Sequence, residues 1–234
     1  VTAIICIFMM YAGNILGTII TALLQLLPGV SAGNPILGYA TDNALLPKVL
    51  FMVILAPVIE EYIFRKQLID RMHIYGEKLA VITSALMFGL FHGNLSQLFY
   101  AFALGLVFGY VYLKTGKLRY SIGLHMLINL IGSVIGPLFL EKIAVLDTME
   151  TLDLATLEPI MPWLIGFGAY VVVLIGLAIT GLVLLCINKR RVSFAQAEME
   201  LPKKSRFKTV YVNVGMILLA IGCVALIIAS VIPM

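Results

Sequence analysis

The chain has 234 residues, of which 62% are hydrophobic and only 12% charged; its net charge is +4 and its mean hydropathy +1.07. A soluble domain of this size carries about 25% charged residues, so composition excludes a soluble fold and points to a polytopic membrane protein. The small positive balance is what basic loops on a membrane protein produce, and no nucleic-acid surface is implied.

A membrane span needs about 20 apolar residues. Seven candidates follow in chain order: Val1–Leu27, Val49–Phe64, Leu79–Phe91, Leu95–Leu113, Leu118–Phe139, Met161–Ile187 and Thr209–Ile232. The expected fold is all-α, one transmembrane helix bundle over residues 1–234. The numbering opens at Val1 inside an apolar run, so leading residues are expected ahead of it, with an eighth span among them left open. That first run has no basic n-region and is too long for a secretory signal. Cys6, Cys186 and Cys223 lie far apart in apolar runs without CxxC spacing, and are expected to be buried, inert thiols. No internal repeat is evident, which argues against an inverted-repeat transporter.

Loop charge sets the orientation. The segment 188–208 carries seven basic residues, Lys189, Arg190, Arg191, Lys203, Lys204, Arg206 and Lys208, and is expected to be cytoplasmic. Leu140–Pro159 holds Glu141, Asp147, Glu150, Asp153 and Glu158 against Lys142 and should face outside. Lys114, Lys117 and Arg119 then fall inside with Arg65, Lys66, Arg71 and Lys78, and Gly29–Pro47 falls outside. Gly105/Gly109 and Gly132/Gly136 are GxxxG pairs suited to close helix packing within the bundle.

Polar residues inside these runs are the candidates for function, because ionisable groups at membrane depth are costly. Glu60 and Glu61 close the second run. Glu61 and Arg65 are i,i+4 with the acid first, the favourable order for a helical ion pair. Glu60 lies about 100° around the helix, leaving it free to act as a general base. Pro57 is placed to kink or open that helix. Phe88 and His92 share one helix face, as do His125 and Asn129. His73 sits in the basic stretch Arg71–Lys78 and reads as a solvated residue.

Glu60, His92, His125 and Asn129 suit hydrolysis. The acid and one histidine activate water, while the other histidine and the amide donate to an oxyanion. The same set is also chemically able to ligate a divalent metal, although the HExxH signature is absent. One geometric tension stands. His92 lies about 20 Å beyond Lys78, whereas His125 is about 10 Å from Leu118 and Glu60 similarly shallow. The groups meet if the third span starts late and tilts.

Glu60-Glu61-Tyr62-Ile63-Phe64-Arg65 (EExxxR), Phe88 to His92 (FxxxH) and His125 to Asn129 (HxxxN) resemble the three motifs of the CAAX protease and bacteriocin-processing family, which includes the type II CAAX prenyl endopeptidases. The stretch Phe102 to Gly116 resembles it too, and the likeness covers a motif core at about 48–135. The resemblance implies an intramembrane protease with its site in a cavity among the spans. Glu60 would activate water with His92, His125 and Asn129 would form the oxyanion hole, and Glu61 and Arg65, with Phe88 beside them, would support the site. Family members are described as metalloproteases, and a metal-free glutamate mechanism is also proposed for them. The cofactor is therefore left open between a divalent metal such as zinc, held by Glu60, His92 and His125, and none. The implied partners are the lipid bilayer and a peptide or protein substrate, lipidated or membrane-associated, in the plasma membrane of a prokaryote. Prenylated substrates belong to eukaryotic and some archaeal members. Two rival readings share these residues: a non-catalytic immunity or scaffold protein of the same fold, and an ion-coupled transporter. Loss of Glu60, His92 or His125 would have favoured the first; none is lost.

Overall fold

The computed structural model describes residues 1–30, 45–144, 157–195 and 201–232, with 146, 197 and 199 between them. Most of Gly29–Pro47 and of Leu140–Pro159, including Asp147, Glu150 and Asp153, lies outside the described residues. Among the described residues every regular element is a helix, as expected for an all-α membrane bundle.

Helix α1 runs Thr2–Leu24 and α2 spans residues 45–72 without a break, with widened i→i+5 turns over Lys48–Leu55 and Tyr62–Ile69. Helix α3 is Glu77–Phe91, α4 Leu95–Thr115, α5 Leu118–Ile143, α6 Met161–Asn188, α7 Lys203–Tyr211 and α8 Val214–Ala229. Local chemistry explains several ends. Gly76, at φ 137°, turns the chain between α2 and α3. Asn94 caps α4 by accepting from Gln97 N, and left-handed Gly116 closes it, both standard helix-end devices.

Helix α4 is the centre of the bundle, packed against α1 and α3. Cys6, Ile7 and Met10 meet Leu104, Phe108, Ile128 and Leu174 in one buried cluster. Phe64, Met87, Phe88 and Ala101 form a second, and Ile69, Ala80, Val81 and Tyr112 a third. Large apolar side chains such as Val172, Val173, Ile179 and Val183 point outward from α6, a surface suited to lipid rather than water.

The count of seven spans is not confirmed. Among the described residues four helices, α1, α4, α5 and α6, are long and apolar enough to cross a membrane, and α7 with α8 make a fifth only as a pair bent by 69°. Helix α3, with 15 residues, rises about 22 Å against a hydrocarbon core of about 30 Å. The seventh run does not start at Thr209 as one helix, because Asn213 adopts an extended backbone and caps α8 through Met216 N. The third helix starts at Glu77, not late. The depth tension eases for another reason: α2 continues eight residues past Phe64 to Met72, which carries Glu60 about 18 Å from that end.

The first GxxxG packs as expected. A Cβ on Gly105 would lie 2.9 Å from Ala85 Cα. Gly132 and Gly136 make no such approach, with nearest atoms at 3.9 and 3.5 Å. The tighter contact is on α1, where a Cβ on Gly13 would lie 2.3 Å from Tyr100 Cα and one on Gly17 3.1 Å from the Ser96 carbonyl oxygen. Cys6 and Cys223 are buried, but Cys186 is exposed on the outer face of α6, where an apolar run meets lipid as readily as core.

Candidate active site

The three motifs sit on α2, at the end of α3, and on α5, and their side chains turn toward one another. Arg65 and Glu61 are both fully buried. Arg65 Nε donates to Glu61 Oε2 at 3.0 Å and Nη2 to Oε1 at 3.2 Å, a two-pronged pair. Nη1 donates to Ser84 Oγ at 2.7 Å, and that hydroxyl donates to the Phe64 carbonyl at 2.7 Å. The guanidinium lies over the Phe88 ring, 4.8 Å from its centre. A buried charge is tolerated only when paired and hydrogen-bonded this completely.

Glu61 reaches further than its helix. His125 Nδ1 lies 3.2 Å from Glu61 Oε1, and an ion-paired carboxylate only accepts, so that nitrogen carries the proton. The ring is stacked on Phe108 at 5.3 Å and meets the edge of Phe88 at 5.5 Å. Its Nε2 faces Glu60, 3.7 Å from Oε2. His92 is fixed on the same logic: Nδ1 donates to the Phe88 carbonyl at 2.7 Å, leaving Nε2 with a lone pair.

Asn129 is placed by a proline. In the widened turn of α2, Ala56 N–H reaches back five residues to the Phe51 carbonyl. The next residue, Pro57, has no N–H to give to the Met52 carbonyl. Asn129 Nδ2 takes up that orphan acceptor at 2.7 Å. One amide hydrogen is thereby used, and the second remains.

Glu60, Phe88, His92, His125 and Asn129 line one cavity of about 230 Å³ between α2, α3, α4 and α5. Glu61 and Arg65 stand behind it. His73 is exposed, with Nδ1 donating to the Asp70 carbonyl at 2.9 Å. Gln97 and Tyr100 also line the cavity, and Ser84 completes the shell of Arg65; sequence reading passed over all three. Polar residues at i, i+3 near the start of an apolar helix were a usable signal for Gln97 and Tyr100. Nothing short of the fold joins Glu61 to His125, 64 residues away.

A metal was left open by the motifs. Among the described residues no three His, Cys, Asp or Glu side chains converge closely enough to hold one. Glu60, His92 and His125 share a cavity but are not gathered at a common ligation point. As placed they do not fit a metal, and no step is derived through one.

Residues 42–131 match the family model described as type II CAAX prenyl endopeptidase Rce1-like. The match makes this segment similar to the CAAX protease family. A curated relative, the membrane-embedded CAAX protease MroQ of Staphylococcus aureus (strain USA300), is 31% identical over 104 residues, covering 40% of this chain and 42% of the relative. The matched part is thus less than half the length of that relative. No solved structure matches the chain.

Proposed function

We propose that this chain is a membrane-embedded endopeptidase whose water is activated by Glu60. The observation that carries the reading is the convergence of Glu60, His92, His125 and Asn129 on one cavity. The family-model match and the MroQ likeness support the reaction class. A water between Glu60 and His92 Nε2 gives a proton to the carboxylate and attacks the carbonyl carbon. The carbonyl oxygen becomes an oxyanion and receives hydrogen bonds from the second Asn129 N–H and from His125 Nε2. Donation from Nε2 requires the doubly protonated ring, and Glu61 and Glu60 stand at its two nitrogens as counterions. Collapse of the intermediate breaks the C–N bond, and Glu60 returns its proton to the leaving amine. Preorganised donors in a water-poor site are the strongest catalytic device available to such a cavity.

The substrate is a peptide or protein held at the membrane, and the positive-inside pattern supports a cytoplasmic side for 188–208. Glu60→Gln, purified and offered a peptide library with and without chelator, should lose about 10²- to 10⁴-fold in cleavage rate while folding normally. Full retained activity would sink the assignment. The chelator arm separates a glutamate from a metal mechanism.

A further inference from the structure

Beside the motif residues, the cavity wall holds a hydrogen-bond chain whose direction is forced from one end. Asn94 Oδ1 accepts from the backbone N–H of Gln97 at 3.0 Å and from Ser96 Oγ at 2.7 Å. A backbone N–H only donates, so this end of the amide must be the oxygen. Its other end, Nδ2, donates to the His92 carbonyl at 2.8 Å and to Gln97 Oε1. Gln97 must then present its own Nε2–H to Tyr100, 2.8 Å from the hydroxyl oxygen. The tyrosine accepts there, and its own proton is not used by Gln97. No hydrogen bond from the Tyr100 hydroxyl to another acceptor occurs among the described residues, and both side chains line the cavity with Glu60 and His92. Each donor in such a chain strengthens the next.

We propose that Tyr100 is a further substrate-contacting residue, donating a hydrogen bond to the oxygen of the carbonyl under attack, with Gln97 and Asn94 as its positioning residues. The proposal rests on the hydrolytic reading above. It adds a third donor to His125 and Asn129 and gives the Asn94 cap a second task, since the amide that starts α4 also orients the hydroxyl. The competing view is that Tyr100 only packs, its ring 6.5 Å from that of His92, with the Gln97 contact as structural glue.

The experiment reverses the chain's direction without removing the hydroxyl. In Gln97→Glu, an ionised carboxylate accepts from Tyr100 and turns its proton away from the cavity. Steady-state cleavage by the full chain in detergent is measured for Tyr100→Phe, Gln97→Glu and the double variant. Tyr100→Phe should lose about 100-fold in kcat/KM, near the lower end for one oxyanion donor, with most of the loss in kcat. Gln97→Glu should lose a similar factor although its tyrosine is intact, and the double variant should fall less than about threefold below Tyr100→Phe, because both changes remove one interaction. Binding of a peptide phosphonate, a mimic of the tetrahedral state, should weaken in Tyr100→Phe while binding of the parent peptide holds. Near-wild-type kcat in Tyr100→Phe, or fully additive losses in the double variant, would overturn the proposal. If Glu60→Gln is dead and Tyr100→Phe fully active, only the role of Tyr100 falls. Wild-type protein that cleaves nothing overturns the hydrolytic reading and this inference with it.

Discussion

Arg65 and Lys66 are neighbours in sequence, and each forms an i,i+4-spaced ion pair on α2. Arg65 and Glu61 are 0% exposed, and Arg65 is bound further by Ser84 and by the face of Phe88. Lys66 and Asp70 pair at 2.7 Å with side chains 54% and 39% exposed. The same helical spacing therefore yields a buried scaffold for His125 in one case and a solvated surface pair in the other. Burial decides the difference. Inside, each charge depends on its partner because water is absent; outside, water replaces a lost partner at little cost.

The largest test of that contrast is a pair of substitutions one residue apart. Arg65→Met leaves the Glu61 carboxylate buried without its cation and should cost about 3–5 kcal/mol, read by unfolding in mixed micelles. It should also abolish cleavage, since Glu61 holds His125 Nδ1. Lys66→Met should leave both measurements unchanged. Similar effects from the two variants would break the comparison.

The second test lies at the other wall of the cavity, where helix α2 is opened by Pro57. Asn129→Ala leaves the Met52 carbonyl unsatisfied, and should destabilise by about 1–3 kcal/mol. Pro57→Ala restores a backbone N–H five residues after Met52. In that background Asn129→Ala should cost less, because the orphan carbonyl has found its donor. The coupling is measured by a double-mutant cycle on unfolding; strictly additive costs would show that Pro57 has no part in placing Asn129. Cleavage should stay impaired in the double variant, separating the stabilising amide hydrogen from the one proposed to meet substrate.

The same contrast explains what was legible in the sequence. Long apolar runs announce helices without any knowledge of neighbours, so α1, α4, α5 and α6 were readable to within a few residues. Arg65, Lys66 and Gln67 read as the end of a span, yet α2 continues through them because Arg65 is neutralised by groups on its own helix and on α3. The motif pairs were readable as shared helix faces, since i,i+4 contacts are local. Glu61 to His125 and Asn129 to Met52 are not local, and no periodicity encodes them. Glycine spacing was equally blind to partners. Gly105 meets Ala85, whereas Gly132 meets only the tip of Met10, and Gly13, unremarked in the sequence, sits against Tyr100.

The smallest expected effect belongs to the solvated end of the bundle, where Glu77 joins α3, α4 and the chain after α6. Lys114 Nζ donates to Glu77 Oε2 at 2.6 Å and the Ala195 N–H to the same oxygen at 2.7 Å. Burial acts to raise the Glu77 carboxyl, but the Lys114 and Ala195 hydrogen bonds outweigh it and hold the group below its ordinary value of 4.5. A carboxyl with a lowered folded value stabilises the fold fully above the ordinary value and loses that contribution as pH falls through the lowered one. The stability difference between wild type and Glu77→Ala should thus be small, about 0.5 kcal/mol, constant from pH 8 to about 5, and vanish below that. Salt should shrink it in the same way, since Lys114 and Glu77 are part-exposed and screened. Salt should not touch the cost of Arg65→Met, measured in parallel near neutral pH across the same salt range. A salt-sensitive Arg65 effect would mean that water reaches the inner pair, and the distinction between the buried and the solvated ion pairs would be one of degree.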